Sequence, residues 1–383
     1  MSAMQIDQIP DFLAEQRNEA PDDVQHYFLA FEDFWERKLW HQLTEALLEF
    51  FGSKKSDALQ LPLYNNFILT FADKINQLKL VTLALKASTQ SKDVQERLAF
   101  LEKVAKKVDS PKSQDAYVYA TVAVAKVKLE LSDLEGARAI LDKAEKILET
   151  FDAVETVVHA AFYRVNADYY QAKRDFAAYY RNALLYLACI DLSDLSSMER
   201  RSRAYELALA ALVSTSIYNF GELLLHPILD ALNEHDAWLA KLLFAFNSGD
   251  LAAYDALSGK IAENALLNEH KDSLRQKIYL SALTEAVFRR PPHDRTMSFA
   301  TISEETRVRP DEIEHLIMKA LSLGLVKGSI DQVDEIARIN WVQPKVLDMN
   351  QIKSMRQRLT EWDQSVNQLG NWIEQTGQDV WAA

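Results

Sequence analysis

Residues 318–347 read MKALSLGLVKGSIDQVDEIARINWVQPKVL, and the order of elements within them decides the fold. An amphipathic helix runs up to Gly324, which is placed to end it in a left-handed conformation. Two extended runs, LVKGSID and EIARINWVQ, follow around a turn at Gln332, Val333 and Asp334, and Pro344 stops the second. Upstream, LRQKIYLSALTEAVF reads as a helix, RRPPHDR as a connection and SFATISEETRV as a short second helix. Pro310 sits in the first turn of a third helix, PDEIEHLIMKALSLG, whose inner face is Ile313, Leu316, Ile317, Ala320 and Leu321. Three helices and a hairpin in that order predict a winged helix-turn-helix.

Outward from this stretch the chain reads as helical. Nine glycines and nine prolines in 383 residues are well below average usage, so residues that break helices are rare. From about residue 22 to 290 amphipathic helices follow one another. Tyr27, Phe28, Phe31, Phe34 and Trp35 recur at helical spacing, then Leu39, Leu43, Leu47 and Phe50, which predicts two antiparallel helices broken near Lys38. Pro62 is read as opening the next helix. A plan of helix, short turn and helix then repeats loosely, with Asp133-Leu134, Asp175-Phe176 and Asp250-Leu251 at equivalent turns. Each aspartate is suited to cap the helix after it, and the next apolar residue to lock the pair. Such pairs resemble tetratricopeptide units and predict a stacked, curved α-solenoid.

After Pro344 a long final helix carries Ile352, Met355, Leu359, Trp362, Val366, Leu369 and Ile373 at alternating steps of three and four. A two-in-seven seam of this width suits a bundle with helices of other chains, and that is the expected use. The alternative is packing back onto the chain's own solenoid. Gly370, Trp372 and Trp381 complicate both.

Charge narrows the function. The formal net charge is −13, whereas duplex DNA is bound by neutralising phosphates with Lys and Arg. The helix that would enter the major groove leads with Asp311, Glu312 and Glu314, and acidic residues outnumber basic ones over 294–347. No nucleic-acid partner is expected. A two-stranded wing instead offers an unpaired backbone edge to another chain, with Lys327, Gly328 and Ser329 on one strand and Arg338, Asn340 and Trp341 on the other as candidate contacts. Trp341 serves equally well as core beneath the wing.

Catalytic patterns are missing from the text. The eight histidines form neither an HExxH pair nor a closely spaced metal set, and GSKKSD at 52–57 lacks phosphate-loop spacing. His293-Asp294-Arg295, beside two prolines, reads as a polar connector. Cys189 is the only cysteine, so no intrachain disulfide or Cys-based zinc site is available, and within ALLYLACID it reads as a buried thiol. No enzyme activity, cofactor or metal is expected. The first residues, MSAMQIDQIPDFLAEQRNEAPDD, contain no apolar signal core, and no apolar run approaches the ~20 residues needed to cross a bilayer. A soluble, intracellular protein without a membrane partner is expected.

The wording of LIMKALSLGLVKGSIDQVD (316–334) and INWVQPKVLDMNQIKSMRQRL (339–359), with HYFLAFEDFWERKLWHQLTEALLEFF (26–51), resembles a known family. It is similar to the PCI-domain subunits of the proteasome regulatory-particle lid, of the non-ATPase regulatory subunit 13 type. The phrases VKGSID and WVQPKVLD are specific, whereas helical repeats with a winged helix would fit any PCI protein. The resemblance implies a non-catalytic, hetero-oligomeric scaffold, cytoplasmic and nuclear, that supports ubiquitin-dependent degradation. It implies winged helices associating side by side with those of other PCI lid subunits. It also implies C-terminal helices gathering into a bundle that directs assembly, and a place near the ubiquitin receptor with a von Willebrand A domain. The expected division is a flexible N-terminus at 1–21, a helical-repeat solenoid at 22–274, the winged-helix part of a PCI domain at 275–347 and a bundle helix at 348–383. A PCI scaffold of another assembly (signalosome, translation-initiation or mRNA-export complex) is the alternative.

Overall fold

The computed structural model describes residues 9–91, 93–151, 155–232, 235–291, 294–346 and 349–381. Contacts divide the chain into two compact units that meet between Asp194 and Leu195. The first contains α1 (Ile9–Glu19), α2 (Asp22–Glu36), α3 (Trp40–Phe50), α4 (Asp57–Asn66), α5 (Gln77–Ser88), α6 (Val94–Val108), α7 (Gln114–Glu130), α8 (Leu134–Leu148), α9 (Thr156–Lys173) and α10 (Phe176–Ala188). The second contains α11 (Ser197–Val213), α12 (Gly221–Leu225), α13 (Ala237–Ser248), α14 (Leu251–Ala256), α15 (Ser258–Glu263), α16 (Ala265–Glu269) and α17 (Lys271–Arg289). It continues with β1 (Thr296–Ser298), α18 (Phe299–Thr306), α19 (Pro310–Ser322), β2 (Val326–Asp331), β3 (Ile336–Val342) and α20 (Met349–Trp381). The fold is mainly helical: repeated helix pairs, a winged helix and a long terminal helix.

In the first unit the helix pairs turn by one recurring device. Ser132, Arg174 and, in the second unit, Gly249 adopt left-handed backbone with φ of 63°, 60° and 67°. The following N–H reaches back five residues, Asp133 to the Lys128 carbonyl, Asp175 to Tyr170 and Asp250 to Ala245. Each aspartate then caps the next helix by accepting from Gly136, from Ala178, or from both Ala252 and Ala253 N–H groups. Lys38, with φ 57°, breaks α2 from α3 by the same five-residue bond, from Leu39 N–H to Phe34 O. The packing of the apolar residue after each cap varies. Leu251 is buried, Phe176 half-buried, and Leu134 exposed.

Two local readings of the sequence differ from the structure. Ile9, Phe12, Leu13 and Gln16 fall on one buried face of α1, so a helix occupies much of the stretch read as a flexible start; residues 1–8 lie outside the described residues. Pro62 lies inside α4 instead of opening a helix. The chain already turns a step earlier, where the Ser53 side chain accepts from Lys55 N–H and the Ser56 hydroxyl donates to Phe50 and Ser53 carbonyls. α5 begins only at Gln77, capped by Asn76. Phe28, Phe31 and Phe50 meet edge to face beneath α2 and α3, with ring centroids 5.4–5.7 Å apart.

In the second unit α17, α18 and α19 pack on an antiparallel sheet of order β1-β3-β2. Leu283, Val287, Ile302, Ile313, Ile317, Ala337 and Ile339 form its core. Pro310 starts α19, and Gly324, at φ 69°, ends it with Leu325 N–H bonded to Ala320 O. The strand β1 was not legible in the sequence. It is three residues long, pairs Thr296 with Arg338 and Ser298 with Ile336, and buries only Met297. Too few residues are present to show alternation.

Lys277 ties α17 to the end of α11. Its buried amine donates to the carbonyls of Ala211 (2.7 Å), Leu212 (3.0 Å) and Ser214 (2.7 Å), and lies 5.0 Å from the Phe220 ring centre. The amine therefore occupies the negative end of a helix dipole and satisfies carbonyls that the helix leaves open. Burial pushes its pKa down from 10.5 to about 7.

Candidate protein-interaction surfaces

The sheet places the six candidate wing residues on two different strands. Lys327, Gly328 and Ser329 lie on β2, which is the edge strand, and are exposed. Among the described residues no strand pairs with the outer side of β2. Arg338, Asn340 and Trp341 lie on β3, which is central, because β1 covers its far side as far as Arg338.

A bulge decides where Trp341 points. Lys327 faces Trp341 and Gly328 faces Ile339, so Asn340 is an extra residue on β3. Ala337 and Ile339 are buried in alternation, and without the bulge Trp341 would follow them into the core. The extra residue shifts the phase, so that Val342 is buried and Trp341 is 37% exposed. Lys327 Nζ lies 4.8 Å above the indole centre. Gly328 is what allows the bulge to close. A Cβ there would stand 2.1 Å from the Arg338 carbonyl oxygen, so the glycine serves the sheet itself.

The seam of α20 is exposed throughout, from 45% at Ile352 to 68% at Trp362, with Met355, Leu359, Val366, Leu369 and Ile373 between. Trp372 is exposed beside it. Gly370 has no atom within 4 Å of where a Cβ would stand. The chain leading to the helix is, by contrast, anchored. Gln343 N–H bonds to Leu325 O, Lys345 Nζ bonds to Asn247 O (3.0 Å) and Glu285 Oε2 (3.1 Å), and Val346 packs against Gly221. Lys345 lies in the phrase WVQPKVLD, but only the fold brings Glu285 to it.

On α19, Asp311 and Glu312 are exposed and Glu314 half-buried, with Arg309 2.6 Å from Glu312. The outward first turn of this helix is thus acidic or internally paired. Cys189 is half-buried, and burial pushes its thiol up, away from thiolate chemistry. His293 lies outside the described residues. Among the described residues no three His, Cys, Asp or Glu side chains cluster as metal ligands, and no helix is long and apolar enough to cross a membrane.

Comparison with known proteins covers almost the whole chain. Three family models match: PSD13 N-terminal repeats over residues 27–243, the PCI domain over 251–341 and the Rpn9 C-terminal helix over 345–377. The probable 26S proteasome regulatory subunit rpn9 of Schizosaccharomyces pombe is 46% identical, with 97% of each chain covered. The 26S proteasome regulatory subunit RPN9 of Saccharomyces cerevisiae is 40% identical over 98% of each. The 26S proteasome non-ATPase regulatory subunit 13 homolog B of Arabidopsis thaliana is 36% identical, over 97% of this chain and 99% of the relative.

Proposed function

The chain belongs to the family of 26S proteasome regulatory subunit Rpn9 and non-ATPase regulatory subunit 13, and from that premise we propose how its surfaces are used. It is a scaffold subunit of the proteasome regulatory-particle lid, without catalytic chemistry, serving ubiquitin-dependent protein degradation. Its working division is a solenoid at 22–274, the winged-helix part of the PCI domain at 275–347 and a bundle helix at 348–383. The observation that carries this reading is the uninterrupted exposed seam of α20. A chain that leaves seven regularly spaced apolar side chains in water is built to bury them on other helices. The C-terminal helices of other lid subunits are the partners.

The outer edge of β2, with Lys327 and Ser329, takes the winged helix of a neighbouring PCI subunit by continuing the sheet, and Trp341 with Arg338 and Asn340 flanks that contact. The von Willebrand A-domain ubiquitin receptor is a further neighbour, and the complex resides in cytoplasm and nucleus. A PCI scaffold of another assembly is disfavoured by full-length similarity to proteasomal subunits, including the terminal helix. Duplex recognition is disfavoured by the acidic start of α19. Affinity purification of the tagged chain, read by mass spectrometry, is expected to recover lid subunits with the proteasomal ATPases. Recovery of signalosome or initiation-factor subunits in their place would overturn the assignment.

A further inference from the structure

Residues 343–346 lead from the winged helix toward α20, and they are attached in a way that the core does not require. The buried cluster of the winged helix ends at Val342, and none of these four side chains joins it. Gln343, Pro344 and Val346 are exposed and Lys345 half-buried, so burial alone does not hold this strap down. It is nonetheless fixed at three of its four residues, each time to different elements. Gln343 N–H donates to Leu325 O, just before β2, at 2.8 Å. Lys345 Nζ donates to Asn247 O in the last turn of α13 and to Glu285 Oε2 on α17. Val346 lies over Gly221, the first residue of α12, where a Cβ would stand 2.5 Å from the Val346 Cβ. The space bounded by Tyr218, Asn219, Thr284 and the strap is about 10 Å³, the lower limit for one water, so the strap lies close against the body.

Lys345 suits its place for two physical reasons. Its ammonium meets a carbonyl at the negative end of the α13 dipole, and it pairs with a carboxylate that is sheltered from water, the two side chains being 11% and 14% exposed. The partners stand 98 and 60 residues away in sequence, so the attachment forms only on the folded body. Gly221 supplies the third point by leaving Val346 the place that a side chain would take. The attachment sets a length. Three peptide steps separate Val346 from Met349, where α20 begins, and three steps span at most about 10–11 Å. Released back to Val342, the helix would hang on seven steps, with a reach of about 23–25 Å.

We propose, on the reading of α20 as a bundle helix, that the strap fixes the point on the second unit from which α20 starts, with Lys345 as its positioning residue. A chain held in an assembly both by its body and by its terminal helix binds through two linked contacts. The second contact then forms at an effective concentration that falls as about the −3/2 power of the tether length. Going from three steps to seven should therefore weaken incorporation roughly fourfold. The strap adds no contact to a partner; it shortens the tether on which one contact depends.

The test titrates full-length chain into lid reconstituted from the other subunits and reads the concentration at half-maximal incorporation. Lys345→Met removes the ammonium, while Glu285 keeps Arg289 at 3.2 Å as a partner. Gly221→Ala pushes Val346 off its seat without touching the ion pair. Each should raise the half-maximal concentration roughly fourfold and speed amide hydrogen exchange at Gln343 in the free chain. A third variant, with six glycine and serine residues inserted after Val346, keeps every attachment and lengthens only the tether. Its melt and its Gln343 exchange should match the wild type, while incorporation weakens about fivefold. Normal incorporation of the insertion variant would overturn the proposal, since a purely structural strap predicts that result. Unchanged exchange in Lys345→Met would overturn the role of Lys345. Removal of 350–383 is the reference. If that deletion prevents incorporation and the strap variants assemble normally, the strap fails and the bundle helix stands; if the deletion has no effect, both fail.

Discussion

α19 and α20 are both amphipathic, and their apolar stripes meet opposite fates. In α19 Ile313, Leu316, Ile317 and Ala320, at steps of three, one and three, are buried, and Leu321, read as part of the same face, is half-buried against the core. In α20 the stripe runs from Ile352 to Ile373 at steps of three and four without adjacent members, and every member is exposed. Width is the difference. A stripe that doubles up at i+3 and i+4 covers enough of the helix to lie on a broad core of sheet and helices. A single file covers only the seam between one helix and another. The same periodicity leaves the stripe buried within the chain in one case and exposed in the other.

The largest effects break that comparison directly. Removing residues 350–383 is expected to abolish or severely reduce incorporation into the lid, read by native electrophoresis of purified complexes. The truncated chain alone should melt at nearly the same temperature, because the seam buries nothing within it. Unchanged incorporation would remove the bundle role. Next in size, Ile317→Ala should destabilise the second unit by about 2–5 kcal/mol, the cost of a cavity in a packed core. Leu359→Ala should change the stability of the isolated chain by less than about 0.5 kcal/mol, as for an exposed site. Urea unfolding of the two variants decides it. Equal losses would mean that α20 is part of the chain's own core.

What the sequence disclosed follows the same division between local and non-local causes. Asp133, Asp175 and Asp250 were legible as caps because a cap bonds within three residues of itself. Gly324 and the break at Lys38 were legible for a similar reason, since a helix end is settled within one turn. Pro62 misled because the Ser53 and Ser56 turn starts α4 earlier, and a proline inside a helix looks like one at its start. Trp341 could not be placed, because its direction depends on the extra Asn340, which only the pairing with β2 reveals. The seam of α20 was visible as a pattern, but its exposure required knowing that none of the other described residues covers it.

Two lysines sharpen the contrast on a smaller scale. Both Lys277 and Lys327 lie near aromatic rings, the first buried and bonded to three carbonyls, the second exposed over Trp341. Lys277→Met should cost about 1–3 kcal/mol, because the carbonyls at the end of α11 lose their donor. The wild type also carries a pH signature. The folded pKa of Lys277, about 7, lies below the unfolded value of 10.5, so between these limits the folded chain binds fewer protons than the unfolded one. Stability contributed by this group therefore rises with pH across that window. Urea melts at neutral and alkaline pH should show the rise in the wild type and its loss in Lys277→Met. The same slope in both would place its cause elsewhere.

The smallest effect on the chain carries the most information about the wing. Gly328→Ala should destabilise the sheet by about 1–3 kcal/mol through overpacking against the Arg338 carbonyl, so any loss of assembly in that variant would be ambiguous. Ser329→Glu avoids this, since the side chain is exposed on the edge strand, and its cost to the isolated chain should stay within about 0.5 kcal/mol. If a neighbouring winged helix continues the sheet at β2, a carboxylate at Ser329 should loosen that neighbour under conditions where the chain itself remains folded. Pull-down of reconstituted lid, with melting of the free chain as its companion, reads both quantities. A normal complex containing Ser329→Glu would mean that the edge of β2 faces water. Trp341, turned outward by the bulge, would then be the wing's remaining contact.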